Sequence, residues 1–553
     1  MEGSSAPTTP SGGGDGDAAG GGAFTRKASG LVREFSQLDA WIYNVLALNL
    51  VVLIALAYVA ATATFPDASL WLAVVICGVF CTFEAIAYAF FLTIMPRSGG
   101  DYVFQSRILG GGIASVFVFT AIVLAQTVLV ALTAYLGATL VLSPFFILLG
   151  AEYDWQWLID AGDWIATPTG IFIISAAYIA WCGAINVLGI RLYVLVQRYV
   201  FWIGMACVAV VLVMLLFTSH DDFVNNLNAF MAENYDVENA YQTVIDVGGT
   251  ADASFSLWAT ILAAVFFSLF LAFPHWGVMQ GSEIKRAGSL RSNLFAIAGA
   301  EVFSFVVIAI FAGLLVGIVG TDFLFASGGL FYGASPDNPL PVPPFFGFFV
   351  AVAQGSPIFI WIAFIMFFCW YIMLAPNAPL GATRVMLAMS FDRVLPEWFG
   401  RVNPRTHTPV NAIIVFTTLC IGVAALYAYS DWFVPLTFAL AIPSLTAFGM
   451  TMVAAMLFPR LRPAMFQSTV ADRIRVLGIP VMAICAVIFA AFVVFVDYQL
   501  LFNDDYAVNG SDGLIFVGGL YAVALGTYFG MKRYRRNVQK IDISVAYKEL
   551  PIE

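Results

Sequence analysis

The chain contains twelve separate runs of mostly apolar residues, each about as long as the roughly 20 residues that a helix needs to cross a hydrocarbon core. Lipid offers no partner for an unpaired backbone N–H or C=O group, so such runs must form helices that pair these groups internally. Only 10% of the residues are charged, against about 25% in soluble domains. The sequence therefore predicts an all-α integral membrane protein with 12 transmembrane helices. The expected spans are 41–62, 70–94, 112–140, 170–188, 193–217, 257–279, 294–319, 357–381, 410–428, 433–457, 477–500 and 513–531.

Basic residues lie on one side of these spans. Lys and Arg occur near the N-terminus, in loops that follow even-numbered spans and at the C-terminus, whereas the opposite loops carry aspartates. Because basic loops stay in the cytoplasm, this pattern predicts a multi-pass protein of the plasma membrane with both termini cytoplasmic. The net charge of -10 then comes largely from the outer face, which argues against nucleic-acid binding. The acidic loop residues are Asp154, Asp163, Asp221, Asp222, Asp236 and Asp252.

Both ends of the chain are predicted to be cytoplasmic tails. Residues 1–35 begin with a stretch of Gly, Ser, Thr, Pro and Asp that includes few apolar side chains before Arg26 and Lys27, a composition typical of disorder. Residues 532–553 form the second tail. All seven cysteines lie within spans and show no metal-ligand spacing, so no metal or other cofactor is expected.

The sixth span breaks its own helix. In the stretch Phe266–Arg291, Pro274 removes a backbone donor, and Gly277 and Gly281 lower the helix propensity of the next turns. Backbone groups freed at that depth need protein or water as partners. Broken helices of this kind form midplane binding sites in secondary transporters, and an ordinary proline kink is the alternative interpretation.

Ionisable side chains lie inside several predicted spans. An ionised carboxylate at the centre of a membrane helix costs about 2.5–3.5 kcal/mol, so Glu84 in span 2 must face protein or water or hold a proton. Glu301 in span 7 raises the same question. His275 is the only one of the three histidines within a span and could exchange protons near neutral pH, although a neutral histidine bonded to backbone is equally consistent. Glu84 and His275 are the candidates for proton or ion coupling.

The loops carry motifs of a known family. The loop after span 2 reads MPRSGGDYVFQSRILG (Met95–Gly110) and resembles the corresponding loop of the amino acid-polyamine-organocation (APC) permease superfamily. Three further loops resemble that family in the same order and between the same spans, the first of them more weakly. They are INVLGIRLYVLVQ (Ile185–Gln197), GSEIKRA (Gly281–Ala287) and GATRVMLAMSFDRVLPEWFGRVNPRTHTPVNA (Gly381–Ala412). The resemblance covers residues 36–460.

This resemblance implies the leucine-transporter-type fold, in which two inverted repeats of five spans have broken helices 1 and 6. The implied units are a first repeat at 36–217, an extracellular loop at 218–256, a second repeat at 257–458 and two extra helices at 477–531. The broken stretch is span 6 by independent counting. The resemblance therefore favours a binding site there over a simple kink.

The same resemblance implies a site at the unwound parts of spans 1 and 6, lined also by spans 3 and 8. Half-helix ends favour a carboxylate at an N-terminus and an ammonium group at free carbonyls, which suits an amino acid. The candidate substrate-binding residues are Asn49, Leu50, Val51, Gln126, Phe273, His275, Trp276, Gly277 and Asn377. Trp276 or Phe273 is expected to act as an aromatic gate, with lipid-facing or core packing as the alternative.

The chain departs from the family at two places. The glycine-rich break of span 1 corresponds to Leu50–Val52, which reads LVV here. Because glycine lets backbone amides approach a carboxylate closely, this change weakens standard recognition of an α-amino acid. A lysine present in span 5 of some proton-coupled members corresponds to about Gly204. In span 8, Pro376 and Pro379 should produce a strong kink.

These features favour a secondary active transporter that moves amino acids by alternating access, as an ion-coupled symporter or an exchanger, with Na⁺ or H⁺ as coupling ion. A polyamine or other organic-cation permease is the alternative that the acidic exterior and the glycine-poor span 1 suggest. A non-transporting permease-like sensor is another. A channel would need a continuous polar pore, and an enzyme would need clustered His, Cys or carboxylate side chains. The expected partners are the lipid bilayer and a small-molecule substrate.

Overall fold

The computed structural model of this chain describes residues 30–251, 254–333, 338–430 and 432–548. Arg26, Lys27, Asp252, most of the predicted disordered tail and the last residues of the C-terminal tail lie outside the described residues. The described part is almost entirely helical, as the sequence predicts.

Twelve helical segments of the described residues are long and apolar enough to cross a membrane, which confirms the predicted number and makes the chain a multi-pass membrane protein. Spans 3 and 8 continue beyond their predicted ends at 140 and 381. Spans 1–12 are, in order, Gln37–Thr64, Leu70–Ile94, Gly111–Glu152, Pro168–Leu188, Ile190–Leu216, Leu257–Met279, Leu290–Val319, Pro357–Phe391, Val410–Tyr429, Val434–Leu461, Val481–Phe502 and Ser511–Asn537.

Span 1 consists of two helices, Gln37–Leu48 and Val52–Thr64, separated by a short break. The first residue of the break, Asn49, has a φ of +51°, which asparagine adopts more readily than most residues. Its carboxamide oxygen accepts hydrogen bonds from the N–H groups of Val52 at 2.7 Å and Leu53 at 3.2 Å. A side chain that accepts from the first free amides caps a helix. The break therefore forms without glycine, because Asn49 supplies both the backbone conformation and the cap.

Span 6 is broken where the sequence predicts. The regular helix Leu257–Leu271 ends before Pro274, and two 3₁₀ turns, Trp276–Met279 and Gly281–Glu283, follow it. A proline and a tighter helix type both end the regular pattern of backbone hydrogen bonds. The chain therefore crosses the membrane here as a helix followed by irregular backbone.

Span 8 is also interrupted, between the helices Pro357–Ile372 and Asn377–Phe391. Side chains of span 4 supply partners for its exposed carbonyls. The Tyr178 hydroxyl donates to the carbonyl of Tyr371 at 2.5 Å, and the Asn186 amide donates to the carbonyl of Pro376 at 3.1 Å. Protein groups thus replace the water that a broken helix would need in lipid.

Span 3 contains two short π-helical segments, Phe119–Leu124 and Gly137–Leu142. Such insertions bend a helix and often occur at functional sites. The remaining described elements lie between the spans, except the last 3₁₀ turn, which follows span 12. They are the helices Gly100–Ile108, Gln156–Ala166, His220–Tyr235, Ala240–Gly248, Thr321–Phe331, Phe346–Val352, Pro463–Gln467 and Val470–Arg473, the 3₁₀ turns Glu397–Gly400, Asp504–Tyr506 and Ile543–Lys548, and the antiparallel strands Arg475–Val476 and Ile479–Pro480.

The packing of the spans places the breaks at the centre of the bundle. Span 2 packs against spans 6, 7 and 11, span 3 packs against spans 4 and 9, and span 8 packs against span 5.

Residues just before span 1 form backbone hydrogen bonds with the end of the broken stretch of span 6. The N–H of Phe35 donates to the carbonyl of Glu283 at 3.1 Å, and the N–H of Lys285 donates to the carbonyl of Phe35 at 2.9 Å. The inverted relationship of the two five-span repeats stays a prediction.

Candidate functional site

A cavity of about 490 Å³ of empty space lies between the breaks of spans 1, 6 and 8 and the middle of span 3. Ligand pockets in proteins usually have mostly apolar walls. The lining residues are Ala47, Leu53, Gln126, Leu129, Val130, Thr133, Leu269, Phe270, Phe273, Trp276, Leu374, Ala375, Asn377 and Ala378. Four of the predicted site residues, Gln126, Phe273, Trp276 and Asn377, are among them.

Two aromatic rings form one wall of this cavity. Phe273 and Trp276 meet edge to face with ring centroids 5.6 Å apart. The Trp276 indole N–H donates to the carbonyl of Asn377 at 3.1 Å, and the ring packs on Gly381, where an added Cβ would lie 3.0 Å from the indole. Span 8 thus holds Trp276 in place, and its predicted role as a gate stays untested.

Asn377 contributes to the cavity mainly by positioning its neighbours. Its side-chain oxygen accepts a hydrogen bond from the Tyr193 hydroxyl, and its carbonyl accepts one from the Tyr43 hydroxyl at 2.9 Å. Its side-chain nitrogen lies 3.4 Å from the carbonyl oxygen of Tyr43. These bonds join spans 1, 5 and 8 at the break.

Gln126 supplies a free donor to the cavity. The side chain is 4% exposed, and its amide nitrogen has no hydrogen-bond partner among the residues that the structure describes. The hydroxyl of Thr133, also in the wall, donates to the carbonyl of Leu129 at 2.8 Å. A buried donor without a partner costs about 1–3 kcal/mol, which a bound polar ligand would recover.

The three predicted residues of span 1 lie outside the cavity wall. Asn49 uses its oxygen for the helix cap described above and its nitrogen to donate to the carbonyl of Trp370 at 3.0 Å. Leu50 and Val51 are buried in the core. Ala47 and Leu53, on either side of the break, line the cavity instead.

Gly277 faces span 1, away from the cavity wall. Its N–H donates to the side-chain oxygen of Asn44 at 2.8 Å, and the Asn44 side-chain nitrogen donates to the carbonyl of Ala296 at 2.7 Å. A Cβ at Gly277 would lie 2.9 Å from the Asn44 oxygen. Asn44 therefore joins spans 1, 6 and 7. An asparagine in an apolar span is a sequence signal for hydrogen bonds of this kind between helices.

His275 points in another direction, into a cluster with two carboxylates. Its Nδ1 lies 3.1 Å from Oε1 of Glu84, and its Nε2 lies 3.7 Å from Oδ2 of Asp101. Neither pair is aligned for a hydrogen bond. The ring of Tyr88 stacks on the imidazole with a centroid distance of 3.8 Å. All four side chains are completely buried.

Asp101 was missed by the sequence reasoning, although it directly follows the Gly99-Gly100 pair of the loop motif. It lies in the short helix Gly100–Ile108 between spans 2 and 3. The hydroxyls of Tyr88, at 2.5 Å, and Thr451 both donate to its Oδ1. Burial raises the pKa of the Asp101 carboxyl to about 6, although the two hydrogen bonds lower this pKa.

Two buried ion pairs explain other motif residues. The Arg384 guanidinium donates to both carboxylate oxygens of Glu283, at 2.8 and 3.0 Å. The Arg107 guanidinium donates to those of Asp392, at 2.6 and 3.1 Å. These ion pairs therefore lock the second half of span 8 to the loop after span 2 and to the end of span 6. The separate motifs did not reveal this connection.

Comparison with known proteins assigns this architecture to a family. A family model described as amino acid permease matches residues 38–524 of the chain. Cationic amino acid transporter 6, chloroplastic, of Arabidopsis thaliana is 44% identical to the chain over 54 residues, which cover 10% of the chain and 9% of that protein. The chain thus matches this relative over less than a tenth of its length.

Proposed function

Because the chain belongs to the amino acid permease family, a family of transporters and not of enzymes, we propose that it carries amino acids across the plasma membrane by alternating access. Transport is an ion-coupled symport or an exchange, with Na⁺ or H⁺ as the ion and with both termini in the cytoplasm. The observation that carries this proposal is the cavity between three broken spans.

The half-helix ends at the cavity suit the two charges of an amino acid. The helix Val52–Thr64 begins beside the lining residue Leu53, and its N-terminal end favours a carboxylate. The helix Leu257–Leu271 ends beside Phe270, and its C-terminal end favours an ammonium group. The Gln126 amide nitrogen, which has no hydrogen-bond partner in the described part of the chain, is a further donor for the carboxylate.

The rest of the wall favours a neutral side chain on the substrate. Among the described residues that line the cavity, none has an acidic side chain and most are aliphatic or aromatic. A second positive charge would lose its hydration here without gaining a partner, which is costly in an apolar site. This argues against the alternative of a polyamine or other organic-cation permease, which rests on the acidic exterior.

The test is uptake by the purified protein in sealed lipid vesicles. Counterflow, in which unlabelled substrate inside drives entry of labelled substrate, requires a carrier but no ion gradient. Radiolabelled alanine, leucine and phenylalanine should exchange, whereas spermidine should not. If no amino acid exchanges, the non-transporting sensor is the better interpretation.

A matched pair of variants tests the cavity. Gln126→Leu should raise the KM for the amino acid about 10- to 150-fold, because a hydrogen bond to a charged group is worth about 1.5–3 kcal/mol. Gln499→Leu makes the same change at a buried glutamine of span 11, outside the cavity wall, and should leave the KM unchanged. Equal effects of the two variants would count against the cavity as the binding site.

A further inference from the structure

The buried cluster of Glu84, His275 and Asp101 contains two acidic side chains and one basic side chain. The two carboxylates and the imidazole are completely buried. Two ionised carboxylates beside a neutral histidine would place two negative charges in the buried interior, which costs far more than a proton-sharing arrangement. The cluster must therefore hold at least one proton.

The geometry brings three proton-binding groups close together. His275 lies between the carboxylates, with one ring nitrogen facing each of them at 3.1 and 3.7 Å. Both ring nitrogens, both Glu84 oxygens and Oδ2 of Asp101 have no aligned hydrogen-bond partner among the described residues. Buried polar atoms are almost always paired in native structures, so these five atoms are available to bind and exchange protons.

The cluster is linked to the substrate cavity by the broken span 6. Phe273 and Trp276 line the cavity, and His275 lies between them in the chain but faces the opposite side. Any movement of this backbone at the cavity also moves the imidazole relative to Glu84.

A second link joins the cluster to the loop after span 2. The N–H of Gly99 donates to the carbonyl of Met279 at 2.9 Å, and Ser98 forms a β-bridge with Gln280. A Cβ at Gly100 would lie 2.8 Å from the Val278 side chain. The segment that carries Asp101 and the segment that carries His275 therefore move together.

We propose that Glu84, His275 and Asp101 form the proton-binding site that couples substrate movement to a proton gradient. The inference rests on the proposed transport function and names its coupling ion. When the break in span 6 rearranges, a carboxyl O–H bond breaks and the proton passes to an imidazole nitrogen or to water. The reverse transfer reloads the cluster from water on the other side.

Other titratable groups around the cluster strengthen the need for a proton. Glu301 of span 7 is completely buried and has no hydrogen-bond partner among the described residues. Cys77 and Cys81 lie on the same face of span 2 as Glu84. From span 10, Thr451 donates to Asp101, and Gln105 of the short helix donates to Thr451 at 2.9 Å. Apart from His275, these neighbours contribute no cation.

The experiment compares two assays on the same vesicles, with radiolabelled alanine, leucine and phenylalanine as probes. Counterflow reports the carrier alone, and accumulation against a gradient reports coupling. With one proton moved per substrate, an inward pH gradient of about one unit sustains up to about tenfold accumulation. Glu84→Gln should keep counterflow but lose accumulation. Asp497→Asn removes a partly buried carboxylate of span 11 that accepts from Thr446 and should keep both.

A conservative variant covers the case in which Glu84→Gln does not fold. Tyr88→Phe keeps the ring stacked on His275 but removes the hydroxyl that donates to Asp101. Loss of a donor to an ionised carboxylate raises its pKa, so the pH midpoint of uptake should move to higher pH. Tyr58→Phe removes a hydroxyl that donates to the carbonyl of Ile308 outside the cluster and should not move the midpoint.

The outcomes separate the two proposals. No counterflow in the wild-type protein would refute the transport function itself. Counterflow combined with accumulation that follows a sodium gradient and ignores pH would overturn only the proton site. Accumulation that survives in Glu84→Gln, or an unmoved pH midpoint in Tyr88→Phe, would overturn it as well.

Discussion

The ion pair between Glu283 and Arg384 allows a quantitative test of how the motif loops are locked. The side chains are 1% and 0% exposed, and the guanidinium makes two hydrogen bonds to the carboxylate. Removal of one partner leaves the other as an uncompensated buried charge, which costs about 3–5 kcal/mol. Glu283→Met should cost more than Arg384→Met, because an abandoned carboxylate can take up a proton whereas a guanidinium stays charged.

The double variant gives the decisive comparison. Replacement of a buried ion pair by apolar residues of similar volume is often neutral or stabilising by about 1–4 kcal/mol. Glu283→Met combined with Arg384→Met should therefore be more stable than either single variant. Unfolding of the purified protein in mixed micelles with increasing dodecyl sulfate, followed by loss of helical circular dichroism, measures these differences.

An exposed ion pair provides the control. Arg191, 83% exposed, pairs with Glu34 at 2.8 Å, and such surface pairs are worth about 0–1 kcal/mol. Glu34→Gln should thus have little effect in the same assay. The reasoning fails if Glu283→Met costs no more than Glu34→Gln, or if the double variant is as destabilised as the sum of its parts.

Two glycine substitutions test close contacts elsewhere. Gly381→Ala places a Cβ 3.0 Å from the indole of Trp276 and should push the ring into the cavity. The KM for the amino acid should therefore rise several-fold in vesicle uptake, while the unfolding transition stays near that of the wild type. An unchanged KM would contradict this. Gly111→Ala places a Cβ 1.9 Å from the ring of Tyr547 and should detach the C-terminal segment, which limited proteolysis would detect as faster cleavage. Gly112→Ala, with its nearest contact at 3.4 Å, should cleave like the wild type, and equal cleavage of both variants would refute the packing argument.

Much of the fold follows from local properties of the sequence. The number and approximate limits of the spans depend on the length of apolar runs, which the bilayer thickness dictates. The break in span 6 also follows from Pro274 and the glycines near it. The break in span 1 was harder to read, because its cause is the cap made by Asn49 and not the glycine pattern of the family.

The candidate site depended much more on tertiary structure. Gln126, Phe273, Trp276 and Asn377 lie together as the resemblance implies, but His275 faces away from its neighbour Trp276. Within a regular helix the 3.6-residue period tells which side chains share a face. At a break the backbone has no period, so the direction of each side chain is decided by its packing partners.

The sequence likewise did not predict which distant residues would pair. Arg107 and Asp392 are separated by 285 positions, and Glu283 and Arg384 by 101, yet each pair is buried in direct contact. A charged residue that is buried among apolar spans needs a partner, because an unpaired buried charge is costly. Only the packing of the spans decides which residue that partner is, because helices that are far apart in the chain become neighbours when the bundle forms.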